Sequence, residues 1–190
     1  MYVKGKKEAI LRSVLKLVNR EGFYHINMKK IAEEAGIAPG TIYLYFKGKE
    51  ALINDLYLLV TSSFNQEVLA GFREKRPLKE NFYEMLQRAL EFYLKAPDAF
   101  SFIEQYTYAP FLFKENREEN FVLLRPIFKM MKKGKKEKII KSLPDTFLLS
   151  IIHGSLNTIL KLHLGHKEDI SKPGMKQKFL DMVWKAVSAE

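Results

Sequence analysis

The chain has 190 residues, of which 47% are hydrophobic and 28% charged, values of a globular protein rather than a disordered one. It has no cysteine, which excludes disulfides, thiolate metal sites and cysteine nucleophiles, and its formal net charge of +10 points to a polyanionic partner. No apolar run reaches the ~18 residues of a transmembrane helix and the N-terminus, MYVKGKKEAI, has no secretory pattern, so a cytoplasmic protein without membrane contact is expected.

The positive charge is uneven. Residues 1–50 carry ten Lys or Arg against five acids, and residues 132–141, KKGKKEKIIK, carry six against one. The rest of the chain is balanced.

Residues 1–7 read as a short basic arm with Lys4, Lys6 and Lys7. From 8 to 20, Ile10, Leu11, Val14, Leu15, Leu17 and Val18 recur at three-four spacing, predicting an amphipathic helix that Gly22 ends. Asn27 is a good N-cap for a second helix, whose Met28, Ile31, Ala32 and Ala35 form one narrow apolar face. Gly36 supplies a sharp turn, and Pro39 suits the first position of a third helix running to about Phe46. At 100° per residue, Ile42 and Phe46 point together to the core. Gly40, Thr41, Tyr43 and Leu44 then spread over the opposite, open arc, with Tyr45 at its flank. Exposed tyrosine and leucine on a short helix suit a nucleic-acid groove. There Gly40 permits close backbone approach, Thr41 offers a hydroxyl and a methyl, and Leu44 meets a thymine methyl. The tyrosine hydroxyls and Lys49 are placed for phosphates.

Residues 27–52, NMKKIAEEAGIAPGTIYLYFKGKEAL, closely resemble the DNA-binding signature of the tetracycline-repressor-like (TetR) transcriptional regulators. The matching elements are IAEEAGI, GTIYLYF and the following KEAL, within about residues 8–60. The resemblance implies that Pro39, Gly40, Thr41, Tyr43 and Leu44 approach bases or nearby backbone, and that Asn27, Tyr45 and Lys49 meet phosphates. Two positions depart from the pattern: Ala38 stands where serine or threonine is usual, and Gly48 where serine is frequent.

Beyond residue 50 the pattern is helical throughout, with expected spans 49–70, 78–95, 98–109, 116–133, 145–164 and 174–188 separated by prolines. Pro126 falls inside one span and is expected to kink or split it. The resulting fold class is all-α, with about nine helices: a helix-turn-helix domain over 1–50 (motif about 27–46) and a helical effector-binding and dimerisation domain over 51–190. The aromatic richness of this second part, with the resemblance, implies an apolar effector pocket. Its candidates are Phe64, Phe92, Phe102, Glu104, Gln105, Tyr106, Phe128, His153 and Asn157. Residues 146–160 contain no charge, and with the last helix they are expected to form a homodimer interface through Ile152, Ser155, Leu156, Ile159, Phe179, Met182 and Val183.

The function expected is a ligand-responsive repressor that binds a pseudo-palindromic double-stranded DNA operator as a homodimer. A small apolar or aromatic effector would release it. The alternative is a helical adaptor using the same fold without sequence-specific DNA binding. The absence of a Walker sequence, HExxH and G-x-S-x-G argues against an enzyme. The four histidines lack ligand spacing, so neither a metal nor a cofactor is expected.

Overall fold

The computed structural model describes residues 2–189, and the side chains of all of these except 2–4, 117, 120 and 121; the Lys4 side chain therefore lies outside the described residues. Ten α-helices account for the described elements: α1 (Tyr2–Glu21), α2 (Met28–Glu34), α3 (Pro39–Ile42), α4 (Lys49–Ala70), α5 (Leu78–Lys95), α6 (Pro97–Tyr106), α7 (Lys114–Leu123), α8 (Arg125–Lys136), α9 (Asp145–Leu164) and α10 (Met175–Val187). A 3₁₀ turn at Phe23–His25 links α1 to α2. The basic arm expected over 1–7 is the first turns of α1 instead, because the helical run continues without a breaker. Pro126 splits the span expected over 116–133: α7 stops at Leu123 and α8 begins at Arg125, with the proline in its first turn, where its missing N–H is harmless.

The helices form two compact units that do not follow chain order. The first holds Met1–Ser63 and Ala96–Phe121, and the second holds Phe64–Lys95 and Val122–Glu190. Helix α4 contributes to both.

In the first unit, α1 buries Ile10, Leu11, Val14, Leu17 and Val18 against a core that includes Ile31, Ile42, Phe46, Leu52, Ile53 and Phe102. Each such side chain contributes about 1.5–3 kcal/mol when fully buried. Helix α6 is anchored to α1 by Asn19, whose amide donates to the Asp98 carbonyl at 2.7 Å. The segment after α6 is held by one buried side chain. Asn54, 1% exposed on α4, donates to the carbonyls of Glu50 and Phe111 at 2.9 Å each. Its Oδ1 accepts from the Phe113 N–H at 2.7 Å and from Asn116 Nδ2 at 2.9 Å.

In the second unit, α5, α9 and α10 pack around Phe82, Leu86, Leu90, Leu148, Leu156, Leu160, Phe179, Val183 and Trp184. Tyr83 on α5 donates to Asp181 on α10 at 2.8 Å; burial and this acceptor push the phenol up to about 12. The end of α10 is tied back by an antiparallel bridge between Ile140 and Ser188.

Helix α9 is unusual. By length and composition alone it is apolar enough to cross a membrane, with a mean hydropathy of 1.3 over its best window, although only 15 successive residues lack charge. Yet only 17% of that window is buried. Its covered side presents Leu148, Leu156 and Leu160, while Phe147 is 61% exposed and Ser150, His153, Gly154 and Thr158 are open. The dimer residues expected from sequence therefore need correction. Leu156, Phe179 and Val183 are consumed by the chain's own core, and Ile152, Ser155 and Ile159 lie half-buried beside it. Met182 is 70% exposed on α10. The open face of α9 lies about half a turn away from the one expected.

Candidate nucleic-acid interface

The helix-turn-helix is built by local chemistry that each residue type dictates. Asn27 is extended, and its Oδ1 accepts from the Lys30 N–H at 2.9 Å, satisfying one of the free donors at the start of α2. Gly36 at φ 65° turns the chain through the left-handed region, which a side chain would resist. Ala38 precedes α3 without a side-chain cap, as its methyl requires. Helix α3 is shorter than the sequence suggests: it ends at Ile42, and the chain tightens into i→i+3 bonds, Leu44 N to Thr41 O at 3.1 Å and Tyr45 N to Ile42 O at 3.0 Å.

Ile42 and Phe46, 0% and 2% exposed, anchor this segment. Tyr43 and Leu44 stand out at 60% and 81% exposure. Pro39 and Gly40 are exposed, and Thr41 and Tyr45 are half-buried. Of the arc expected from sequence, Gly40, Tyr43 and Leu44 are open and Thr41 is partly covered.

Beside it lies a concavity of about 440 Å³ lined by Ile26, Asn27, Met28, Lys29, Tyr43 and Lys49. It brings together three of the residues assigned to DNA from the sequence: Asn27, Tyr43 and Lys49. Lys29, exposed in the first turn of α2, was not singled out by sequence reasoning. The available signal was its place two residues after the N-cap, where it shares the groove wall with Asn27. Two ion pairs brace α2 on the end of α1: Lys30 to Glu21 at 2.7 Å and Arg20 to Glu34 at 2.9 Å. The Lys30 and Arg20 cations hold the Glu21 carboxyl below its ordinary value.

Lys49 differs from its expected role. Its ammonium donates to the carbonyls of Phe23 and Ile26, at 2.9 and 3.0 Å, and lies 4.2 Å from the Phe23 ring centroid. Two of its three donors are thereby spent on the linker, leaving one for the groove. In the structure it is a positioning residue for the linker. Lys49→Met is expected to loosen the 23–26 turn, seen as faster amide exchange there, with a smaller loss of DNA affinity than Lys29→Met produces. Equal exchange in both variants would sink this ordering.

The effector candidates are divided between the two units. Phe102, Glu104, Gln105 and Tyr106 belong to the first unit, and Phe64, Phe92, Phe128, His153 and Asn157 to the second. Glu104 and Gln105 are exposed, since α6 turns Phe102 and Tyr106 inward instead. The Tyr106 hydroxyl accepts from the Phe23 N–H at 3.1 Å, so this side chain fastens the linker. Phe23 itself stacks on Phe111 with centroids 3.8 Å apart. His153 faces out from α9, and Asn157 and Phe128 are half-buried. In the second unit Phe64 stacks on Tyr93 at 4.7 Å and meets Phe92 edge-on at 5.5 Å, forming an aromatic cluster.

Residues 10–56 match the family model described as bacterial regulatory proteins, tetR family, and residues 57–189 match the tetracyclin repressor-like C-terminal domain. An uncharacterized HTH-type transcriptional regulator of Haemophilus influenzae is 35% identical over 103 residues, covering 54% of this chain and 55% of that protein. The fatty acid metabolism regulator protein of Bacillus subtilis is 32% identical over 77 residues, 40% of each. The chain thus spans about half the length, or less, of these curated relatives. Among solved structures, a TetR-family transcriptional regulator from Haemophilus influenzae matches with a TM-score of 0.78 at 27% identity, covering 99% of both chains. One from Marinobacter aquaeolei VT8 matches in fold with a TM-score of 0.91 at 22% identity, again over 99% of both. With the two family models together spanning residues 10–189, the chain belongs to the TetR family of helix-turn-helix transcriptional regulators.

Proposed function

We propose that the protein is a homodimeric repressor that binds a pseudo-palindromic operator and is released from it by a small apolar or aromatic molecule. The observation that carries the reading is the pair Tyr43 and Leu44, 60% and 81% exposed beside a groove lined by Asn27 and Lys29. Two copies of α3 would enter successive major grooves, roughly 34–36 Å apart. The dimer is supported by the open face of α9, with Phe147, Gly154 and Thr158 along it and Met182 contributed by α10. A helix this apolar and so little buried calls for a covering surface. The protein would work in the cytoplasm, where the operator is.

Release requires the effector to favour the non-binding state by about 1–3 kcal/mol. Support for an apolar effector comes from the Phe64, Phe92 and Tyr93 cluster, which sits where α4 enters the second unit. The other end of α4 carries Lys49 and the linker contacts, so a shift of this helix changes the pose of α3. The similarity to a regulator of fatty acid metabolism accords with an effector bearing an apolar chain.

The test is a footprint on genomic fragments selected by the protein, followed by Tyr43→Ala. The side chain is mostly exposed, so folding should be unchanged while operator affinity falls by about 1–3 kcal/mol, the worth of a good base contact. A folded Tyr43→Ala protein with full operator affinity would remove α3 from the recognition surface. Purely nonspecific binding, with no protected palindrome, would favour the adaptor.

A further inference from the structure

The lysine run is left unexplained by operator binding, and the structure gives it a definite form. At 100° per residue, Arg125, Lys129, Lys132, Lys133 and Lys136 fall within an arc of about 100° on α8. All five are exposed. The opposite side carries Met130, Met131 and Gly134, all buried. A Cβ on Gly134 would collide with Leu78 and Ile140, so α8 is seated too closely to roll and hide its charges. Lys135 lies outside the arc and pairs with Asp145.

The stripe is poorly neutralised. Lys129 meets Glu74 at 3.2 Å and Lys133 meets Glu137 at 3.9 Å, and all four side chains are at least 44% exposed, where ion pairs are weak. Arg125, Lys132 and Lys136 have no acidic partner among the described residues. From Arg125 to Lys136 the helix rises about 16–17 Å, which sets one positive charge every ~4 Å. A DNA strand carries one phosphate per roughly 3.4 Å. Five cations strung along the length of a helix suit an extended polyanion better than a compact anion. A lipid surface is disfavoured because a membrane-seeking helix offers an apolar face, and that of α8 is turned into the core.

We propose that the cationic stripe of α8 is a second DNA-binding surface, independent of sequence and separate from the α3 segment. It adds counterion-release affinity for any duplex, and it does not depend on operator recognition by Tyr43 and Leu44.

The test measures binding of a short duplex of scrambled sequence by fluorescence anisotropy at salt concentrations from about 50 to 200 mM. The unsubstituted protein is compared with the variant Lys129→Gln, Lys132→Gln, Lys133→Gln and Lys136→Gln. The slope of log affinity against log salt should become shallower by roughly 2–4, about 0.9 for each phosphate no longer neutralised. Affinity at the middle of the range should fall at least tenfold. The same difference is expected in a Tyr43→Ala background, which separates a failure of the stripe from a failure of the α3 reading. If the four-fold variant does not fold, Arg125→Gln with Lys132→Gln should give about half the change in slope. A folded variant with an unchanged slope would overturn the proposal. So would a loss of binding confined to anionic phospholipid vesicles, which would reassign the stripe to membranes.

Discussion

Gly154→Arg is expected to turn the protein into a monomer and to weaken operator binding by roughly 10²–10⁴, the advantage that two linked sites hold over one. Gly154 is exposed near the middle of α9, and a Cβ added there meets nothing within 4 Å in its own chain. The substitution therefore leaves the isolated subunit unstrained, and replacing a mid-helix glycine gains helix propensity. Any large effect must come from outside the chain. In the proposed dimer the arginine would be driven into the surface formed by Phe147, Thr158 and their symmetry mates, with no acid on the open face of α9 to receive it. Sedimentation velocity reads the association state and a gel shift on the selected operator reads the affinity. A dimer of unchanged strength would place the interface elsewhere. A monomer that kept full operator affinity would instead detach DNA binding from dimerisation.

Asn54→Ala should be as damaging as a truncation in the apolar core, lowering stability by roughly 2–5 kcal/mol. The amide occupies a site 1% exposed, where all four of its hydrogen-bonding positions are used. Truncation leaves the Phe111 carbonyl and the Phe113 N–H without partners. Domains of ordinary stability have about 5–15 kcal/mol in total. The loss should appear as a lower urea midpoint, with increased amide exchange over 107–116. Asn54→Asp is the informative companion. It keeps the acceptor for Phe113 but sets a buried carboxylate oxygen against the Glu50 and Phe111 carbonyls, so near neutral pH it should recover none of the loss. A midpoint within experimental error of the parent would show that the loop does not rely on this clamp.

The helical framework is legible in the sequence because this chain punctuates itself. Gly22, Gly36, Pro97, Pro144 and Pro173 mark ends by backbone chemistry that needs no tertiary context, and Pro126 announces the break between α7 and α8. The outward arc of the α3 segment is legible for a related reason: Ile42 and Phe46 are its only large apolar residues that point together, so the phase is unambiguous. In α9 the same method misses. Apolar residues surround that helix, the pattern carries no phase, and the face expected to make the dimer is the one that the second unit covers. Glu104 and Gln105 suggest a pocket by standing in an apolar stretch, although helical phase sets them away from Phe102 and Tyr106. The roles of Lys49 and Tyr106 could not be read at all. Lys49 reaches carbonyls 26 and 23 residues earlier, and Tyr106 reaches an N–H 83 residues away. Such interactions exist only after folding.

The return of α6 and α7 to the first unit has a consequence for synthesis. The helix-turn-helix emerges early, but the hydroxyl that accepts the Phe23 N–H belongs to Tyr106, and the carbonyl that accepts from Asn19 belongs to Asp98. The unit is complete only when residue 121 has been added, 58 residues after Ser63. At ordinary elongation rates that is a wait of roughly 3–12 s. During it, the nascent head has its recognition segment and the Lys49 bonds to the linker but lacks the Tyr106 and Asp98 acceptors, and a ribosome paused in that window would display a helix-turn-helix that is only partly fastened.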